Sequence, residues 1–216
     1  MSVYRYFVVV PTFRRDQPAV AATLEQVASS FTYPTEFQVV DGSRGKVPAL
    51  RDALDAHLRR PDPCDIYVTL DDDLELPENW QHFISRAFAV LPRLGAAGID
   101  LTDTEEGRRY VMEHLLGPVQ QTEDVIYRRV PRHNIAGCLI AMRLKVAAAA
   151  GNAPDLGVKY DFSEDGWRCG RVRRLGWQLA YVVTPTKCRI VHYHDAEYDA
   201  SKARDSEIVK RHLGWR

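Results

Sequence analysis

The chain has 216 residues, 45% of them hydrophobic and 27% charged, and its 29 Lys and Arg balance its 29 Asp and Glu. That size and composition suit one globular domain with a substantial core, and no apolar run approaches the roughly 20 residues that a membrane-spanning helix requires. The zero net charge hides an asymmetry: residues 1–107 hold 10 Lys and Arg against 17 Asp and Glu, and residues 108–216 hold 19 against 12.

The N-terminal stretch "MSVYRYFVVVPTFRR" has a short apolar run without a small-residue cleavage site and reads as a first strand, not a secretion signal. Its β-branched run ends at Pro11. "DQPAVAATLEQVASSF" follows as a helix, with Asp16 placed to cap it, Pro18 in its first turn, and Val20, Leu24 and Val27 on one stripe. "EFQVVDGSRG" is a second strand running into a Gly- and Ser-rich turn. "VPALRDALDAHLRR" is a helix with Leu50, Leu54 and Leu58 on one face, broken by "PDPCD". "IYVTL" is the third strand, "PENWQHFISRAFAVL" a helix with Pro77 near its start, and "GAAGIDL" a fourth strand.

The second half is less regular. Residues 102–133 contain a Gly-Pro break and a strand-like "DVIYRRV", suited to a hairpin or a loop. "NIAGCLIAMR" is strand-like, "LKVAAAAGN" is a short helix stopped by Gly151, and "SEDGWRCGRVRRLGWQLAYVV" is a helix followed by a strand. "KCRIVHYHD" is a last strand and "SKARDSEIVKRHL" a charged terminal helix. Strands alternating with helices predict an α/β fold with a mostly parallel central sheet covered by helices on both faces. In such sheets ligands bind beyond the carboxyl ends of the strands, here punctuated by Pro11-Thr12, Asp41-Gly42-Ser43 and Asp71-Asp72-Asp73. The cysteines, Cys64, Cys138, Cys169 and Cys188, show no CxxC spacing, which points to reduced thiols in a cytoplasmic protein and away from a zinc site.

Adjacent carboxylates repel, so a cluster at a strand end is either well solvated or holds a cation. In an extended segment Asp71 and Asp73 share a side and Asp72 points oppositely. Hard divalent cations take such oxygen ligands and share them with substrate phosphates. His192 and His194, two apart in a strand, share a face and can add a nitrogen ligand. Glu164 and Asp165 open a helix, where the backbone dipole favours negative charge; either can instead serve as a general base.

Together these segments resemble GT-A fold glycosyltransferases, closest to the inverting family 2 enzymes, from about Val8 to His194. "VVVPTFRR" resembles the family's first strand, whose end lies by the nucleotide base. "VVDGSRG" resembles its "vvDDGSxD" turn, with Asp41 on the acid that contacts base or ribose and Gly42 in place of the second Asp. "GKVPALRDAL" places Arg51 on the family's Ala-Arg-Asn arginine, with Asp52 replacing Asn; "VTLDDDLEL" resembles the Asp-x-Asp segment; "IAGCLIAMR" resembles the "GG-x-x-x-x-R" stretch beside the acceptor, with Gly137 as its one glycine. "FSEDGWRCGRVRRLGWQLAYV" places Glu164 and Asp165 on the family's Glu-Asp pair, with Gly166 and Trp167 departing from it.

The resemblance implies a single catalytic domain over residues 1–216, with residues 1–101 binding the nucleotide sugar and residues 102–216 the acceptor. It implies a nucleoside diphosphate sugar, UDP-linked by family habit, bound by Pro11, Thr12, Asp41, Arg51, Asp71 and Asp72. It further implies a Mn²⁺ or Mg²⁺ ion held by Asp73 with His192 or His194, and Asp165 as the base that activates an acceptor hydroxyl, Glu164 being the alternative. Arg44 and Lys46 face either the phosphates or solvent. Arg108, Arg109, Arg128, Arg129 and Arg132 make an anionic acceptor, a polynucleotide among the candidates, a reading that rests on charge. The chain's length suggests a near-minimal domain and a non-lipid acceptor. Rival readings are a sugar-phosphate nucleotidyltransferase, which would carry a glycine-rich loop where "VVVPTFRRDQ" has no glycine, and a non-catalytic module holding a sugar or calcium.

Overall fold

The structure, a computed structural model, describes residues 3–101, 108, 113–136, 138–159, 164–186, 188–191 and 196–213. Its centre is an eight-stranded sheet. In chain order the strands are β1 (Tyr6–Thr12), β2 (Thr35–Asp41), β3 (Ile66–Leu70), β5 (Leu94–Ile99), β6 (Val119–Thr122), β7 (Val125–Arg129), β8 (Leu139–Arg143) and β9 (Gln178–Val182). They lie in the order β2-β1-β3-β8-β5-β9-β7-β6. β8 and β7 run against their neighbours, so the other six point the same way and the sheet is mostly parallel, as expected. A two-stranded ribbon pairs β4 (Leu74–Glu75) with β10 (Arg189–Ile190).

The helices are α1 (Pro18–Ser29), α2 (Lys46–Leu58), α3 (Trp80–Val90), α4 (Leu144–Ala150), α5 (Glu164–Arg174) and α6 (Ala196–Leu213). β1 shows why helices cover both faces of the sheet. Successive side chains of a strand point oppositely. The Tyr6 hydroxyl donates to Gln81 O of α3 at 2.9 Å, whereas Phe7 stacks on His57 of α2 with ring centroids 4.0 Å apart. One apolar cluster runs through the sheet and its covering helices, from Tyr6, Phe7, Tyr67 and Trp80 to Val172 and Tyr181.

The chain leaves β1 for β2 on one side and returns past β1 to β3 on the other, so strand order reverses between β1 and β3. Such a reversal opens a crevice at the carboxyl ends of the two strands. Thr12 ends β1 and Asp71 follows β3, so the crevice lies where the aspartate triplet begins.

Several local expectations are refined. Gln17, not Asp16, is the N-cap of α1 and makes no side-chain bond, because a turn from Gln17 N to Arg14 O carries Asp16 away from the helix end. α3 starts at Trp80, behind Asn79 in the left-handed region at φ 56°. Residues 119–129 form a hairpin, one of the two alternatives left open, whose turn residues Glu123 and Asp124 are both clasped by Arg86 of α3. Among the described residues the last strand pairs at Arg189 and Ile190; the end of its expected run, from residue 192 on, lies outside them. No helix among the described residues is long and apolar enough to cross a membrane.

Candidate active site

Three strand ends converge. In the parallel β1–β2 pair Thr12 is level with Asp41, and in β1–β3 Val9 is level with Thr69, which brings Thr12 alongside Asp72 three residues on. The Thr12 hydroxyl donates to Asp72 Oδ2, and Arg14 Nη2 donates to Asp72 Oδ1 at 2.9 Å. Thr12, Arg14 and Asp72 are all buried. Pro11 precedes this knot, partly exposed. Gly42 N donates to Thr12 O at 2.9 Å, and a Cβ at Gly42 would press on the Thr12 backbone at 3.3 Å. That close approach suits glycine where the resembled family has a second Asp. Asp41 is exposed, accepting from Ser43 N and Ser43 Oγ at 2.8 Å each; these bonds hold its carboxyl below the usual range.

Asp71 turns the other way. Its Oδ1 accepts from Lys46 Nζ at 2.7 Å, and the same ammonium lies 3.7 Å from Glu164 Oε2 at the start of α5. Burial pushes the Asp71 carboxyl up against the pull of Lys46. Burial works to lower Lys46, but Asp71, Glu164 and Asp165 outweigh it and hold the ammonium above its ordinary value. Arg168, one turn along α5, places Nη2 3.0 Å from Glu164 Oε1, and its guanidinium sits 5.7 Å from the Tyr67 ring centroid. Glu164, 1% exposed, is thus gripped by two cations.

Asp165 is less enclosed. Burial first, then Glu164 and Asp71, push its carboxyl up to about 7, against Lys46 and the Gly166 N–H donating to Oδ1 at 2.6 Å. Gly166 faces Asn134: a Cβ there would stand 2.9 Å from Asn134 Nδ2. Asp73 also rises to about 7, through burial and then the Asp71 and Asp72 charges, with Arg14 and Lys202 opposing. Val191 N donates to Asp73 O at 2.7 Å, so the ribbon that starts at β10 delivers the chain to Asp73. His192, His194 and Gly137 lie outside the described residues. Among the described residues no three or more His, Cys, Asp or Glu side chains group so as to hold a metal ion.

The remaining expected residues are peripheral to this cluster. Arg51 and Arg44 both pair with Asp52, at 3.3 and 3.0 Å. Arg143, on the glycine–arginine stretch, is a tie within the fold, donating to Leu94 O and Phe88 O. Arg128 donates to Glu113 and Gly117 O, Arg129 donates to Gln120, and Arg132 is exposed; Arg109 lies outside the described residues. All four cysteines are free thiols. The roles of Arg14, Arg168 and Asn134 went unread in the sequence, since nothing in its periodicity distinguishes them from surface polar residues.

No protein-family model and no curated protein matches the chain. Solved structures do. A mannosyltransferase of Pyrobaculum calidifontis, determined with GDP-mannose and Mn²⁺, superposes at a TM-score of 0.59 and 17% identity over 99% of this chain; the chain spans 65% of that one's length. Glucosyl-3-phosphoglycerate synthase of Mycobacterium tuberculosis, with Mn²⁺, UDP and phosphoglyceric acid, gives 0.55 and 15% over 99% of this chain and 80% of its own. A Drosophila galactosyltransferase with manganese, UDP-galactose and xylobiose gives 0.53 and 12% over 91% and 74%. At these identities the likeness speaks to architecture: the chain has the GT-A fold that these transferases share.

Proposed function

We propose that the chain is a metal-dependent glycosyltransferase, akin to the inverting family 2 enzymes, that moves a sugar from a nucleoside diphosphate sugar to an acceptor hydroxyl. The observation that carries this reading is the meeting of two acidic groups: Asp71, at the end of β3, and Glu164, beside Asp165 at the start of α5, share the ammonium of Lys46. Residues 1–101 form the donor half and residues 102–216 the acceptor half.

The donor lies along the crevice between β1 and β3. Pro11 and Thr12 border its base, Asp41 contacts base or ribose, Arg51 flanks the nucleotide, and Asp71 contacts ribose or sugar. Asp72 shapes the site by fixing Thr12 and Arg14, which already occupy its carboxylate. The acidic cluster suits a hard dication: Asp73 is pushed up to about 7 by burial and then by the Asp71 and Asp72 charges, and a cation would relieve both. Asp73 with His192 or His194 would hold Mn²⁺ or Mg²⁺, and a site with few protein ligands suits an ion shared with a diphosphate. The bound ion supplies Lewis-acid neutralisation of the leaving diphosphate.

Asp165 takes the acceptor's proton. A base poised near 7 is half ionised at neutral pH, where proton removal is efficient. Glu164, held in place by Arg168 and Lys46, has both of those contacts on its carboxylate and is the poorer candidate. The acceptor oxygen bonds to the anomeric carbon as the bond to the diphosphate breaks, one displacement with inversion. Arg129 and Arg132 favour an anionic acceptor, polynucleotides included; binding of that kind weakens steeply with salt, and a flat response would remove the idea.

The test is thermal unfolding with UDP-, GDP- and dTDP-sugars, with and without Mn²⁺. Metal-dependent stabilisation by one of these donors is expected. Stabilisation only by a nucleoside triphosphate with a sugar phosphate, or only by calcium, would overturn the reading.

A further inference from the structure

Lys46 stands between the two halves of the proposed site. It opens α2, directly after Gly45, and its backbone is pinned: Lys46 N donates to Lys159 O at 3.4 Å, and Lys159 N donates to Asp205 Oδ2 of α6 at 3.0 Å. Gly45, at φ 113°, has a conformation that side chains other than glycine's rarely adopt, and Val158 O lies 2.4 Å from where a Cβ would be. The side chain is 18% exposed, with Nζ 2.7 Å from Asp71 and 3.7 Å from Glu164.

We infer that Lys46 is a positioning residue: one ammonium, locked at the start of α2, fixes the donor-side Asp71 and the acceptor-side Glu164-Asp165 pair relative to each other. The inference rests on the proposed reading of the site and goes beyond it, because a lysine serving only as a phosphate contact would not need to join the two carboxylate groups. Without that ammonium, the end of β3 and the start of α5 would present facing carboxylates and repel. The charged and titratable groups that bear on Asp165 are Glu164 and Cys169 on its own helix, Lys46 from α2, Asp71 after β3 and Tyr181 of β9. Among these Lys46 is the cation, and Arg168, three residues along the helix, is engaged by Glu164; removing Lys46 therefore takes away a positive charge that opposes Glu164 and Asp71 at Asp165.

The experiment needs no acceptor. The full chain, labelled at aspartate carboxyl carbons, is titrated by NMR, with Asp165→Asn identifying the Asp165 signal. In Lys46→Met the Asp165 carboxyl is expected to titrate higher by about one pH unit, and Lys46→Arg should restore most of the difference. Hydrolysis of UDP- and GDP-sugars with Mn²⁺ should fall by up to about tenfold in Lys46→Met, the most that one pH unit of mistuning implies. An Asp165 titration unmoved in a folded Lys46→Met protein would overturn the inference. Should that variant lose cooperative unfolding, Lys46→Gln carries the same comparison. If the unaltered chain neither binds nor hydrolyses any sugar nucleotide, the functional reading fails, while the apo titration still decides the role of Lys46.

Discussion

Thr12 and Asp72, 60 residues apart in sequence, are joined by a buried hydrogen bond across the crevice between β1 and β3. Arg14 closes the knot from the same side as Thr12. Removing Asp72 would take from the buried Arg14 the carboxylate to which its Nη2 donates. Breaking a buried pair by deleting one partner costs about 3–5 kcal/mol, whereas deleting the hydroxyl costs about 1–2 kcal/mol. Asp72→Ala should therefore destabilise the protein clearly more than Thr12→Val, as read by urea unfolding. Equal losses would mean that the contact with Asp72 contributes little to holding Arg14.

Gly45→Ala tests whether the start of α2 is fixed by backbone geometry. At φ 113° and ψ 154° the residue occupies a region essentially confined to glycine, with a cost of about 1–3 kcal/mol for other residues. The Val158 carbonyl adds a clash with backbone, which cannot swing aside as a side chain could. A loss of about 2 kcal/mol or more in unfolding free energy is expected. A neutral result would show that residues 158–159 can move away from α2.

The order of strands and helices was legible because each covered strand is a continuous apolar run and each helix carries its stripe; Val20, Leu24 and Val27 all prove buried. The acidic rim was legible from the position of the triplet after β3; Asp71 and Asp72 do take separate partners, but Asp72 and Asp73 lie in a turn, not in the extended segment that the alternation rule requires. What was not legible lies in long-range pairing. β4 and β10 have two residues each, too short for any period to register. Lys46 follows a Gly-Ser-Arg-Gly turn and looked equally like a solvated base, because its burial depends on α5, more than 100 residues later. Arg168 reads as one of many charges on a helix until the fold sets it against Tyr67.

Gly166→Ala separates stability from placement. Alanine in a helix is worth up to about 1 kcal/mol over glycine, and the atom in its way is the end of a side chain, Asn134 Nδ2, which can rotate. Unfolding temperature should hold or rise. Asn134 faces Gly166, the residue after Asp165, so transfer should fall about several-fold, the scale on which small misplacements act. Unchanged transfer in a folded variant would remove Asn134 from the acceptor side.

Asp73→Asn and Asp165→Asn should divide donor binding from chemistry. The first is expected to abolish metal-dependent stabilisation by the sugar nucleotide. The second should spare that stabilisation and stop transfer, with full transfer in the second variant refuting the choice of base. In the unaltered protein the transfer rate should rise with pH through about 7, where Asp165 ionises. The stability effect has the opposite sign. A carboxyl raised from near 4 to about 7 on folding binds its proton more tightly in the folded chain, so its contribution is full below pH 4 and is lost between about pH 4 and 7. Asp165→Asn removes the ionisation and should stabilise the protein at pH 8 by roughly 1–3 kcal/mol, with little change at pH 4. A variant less stable than the parent at pH 8 would mean that Asp165 serves the fold, not the reaction.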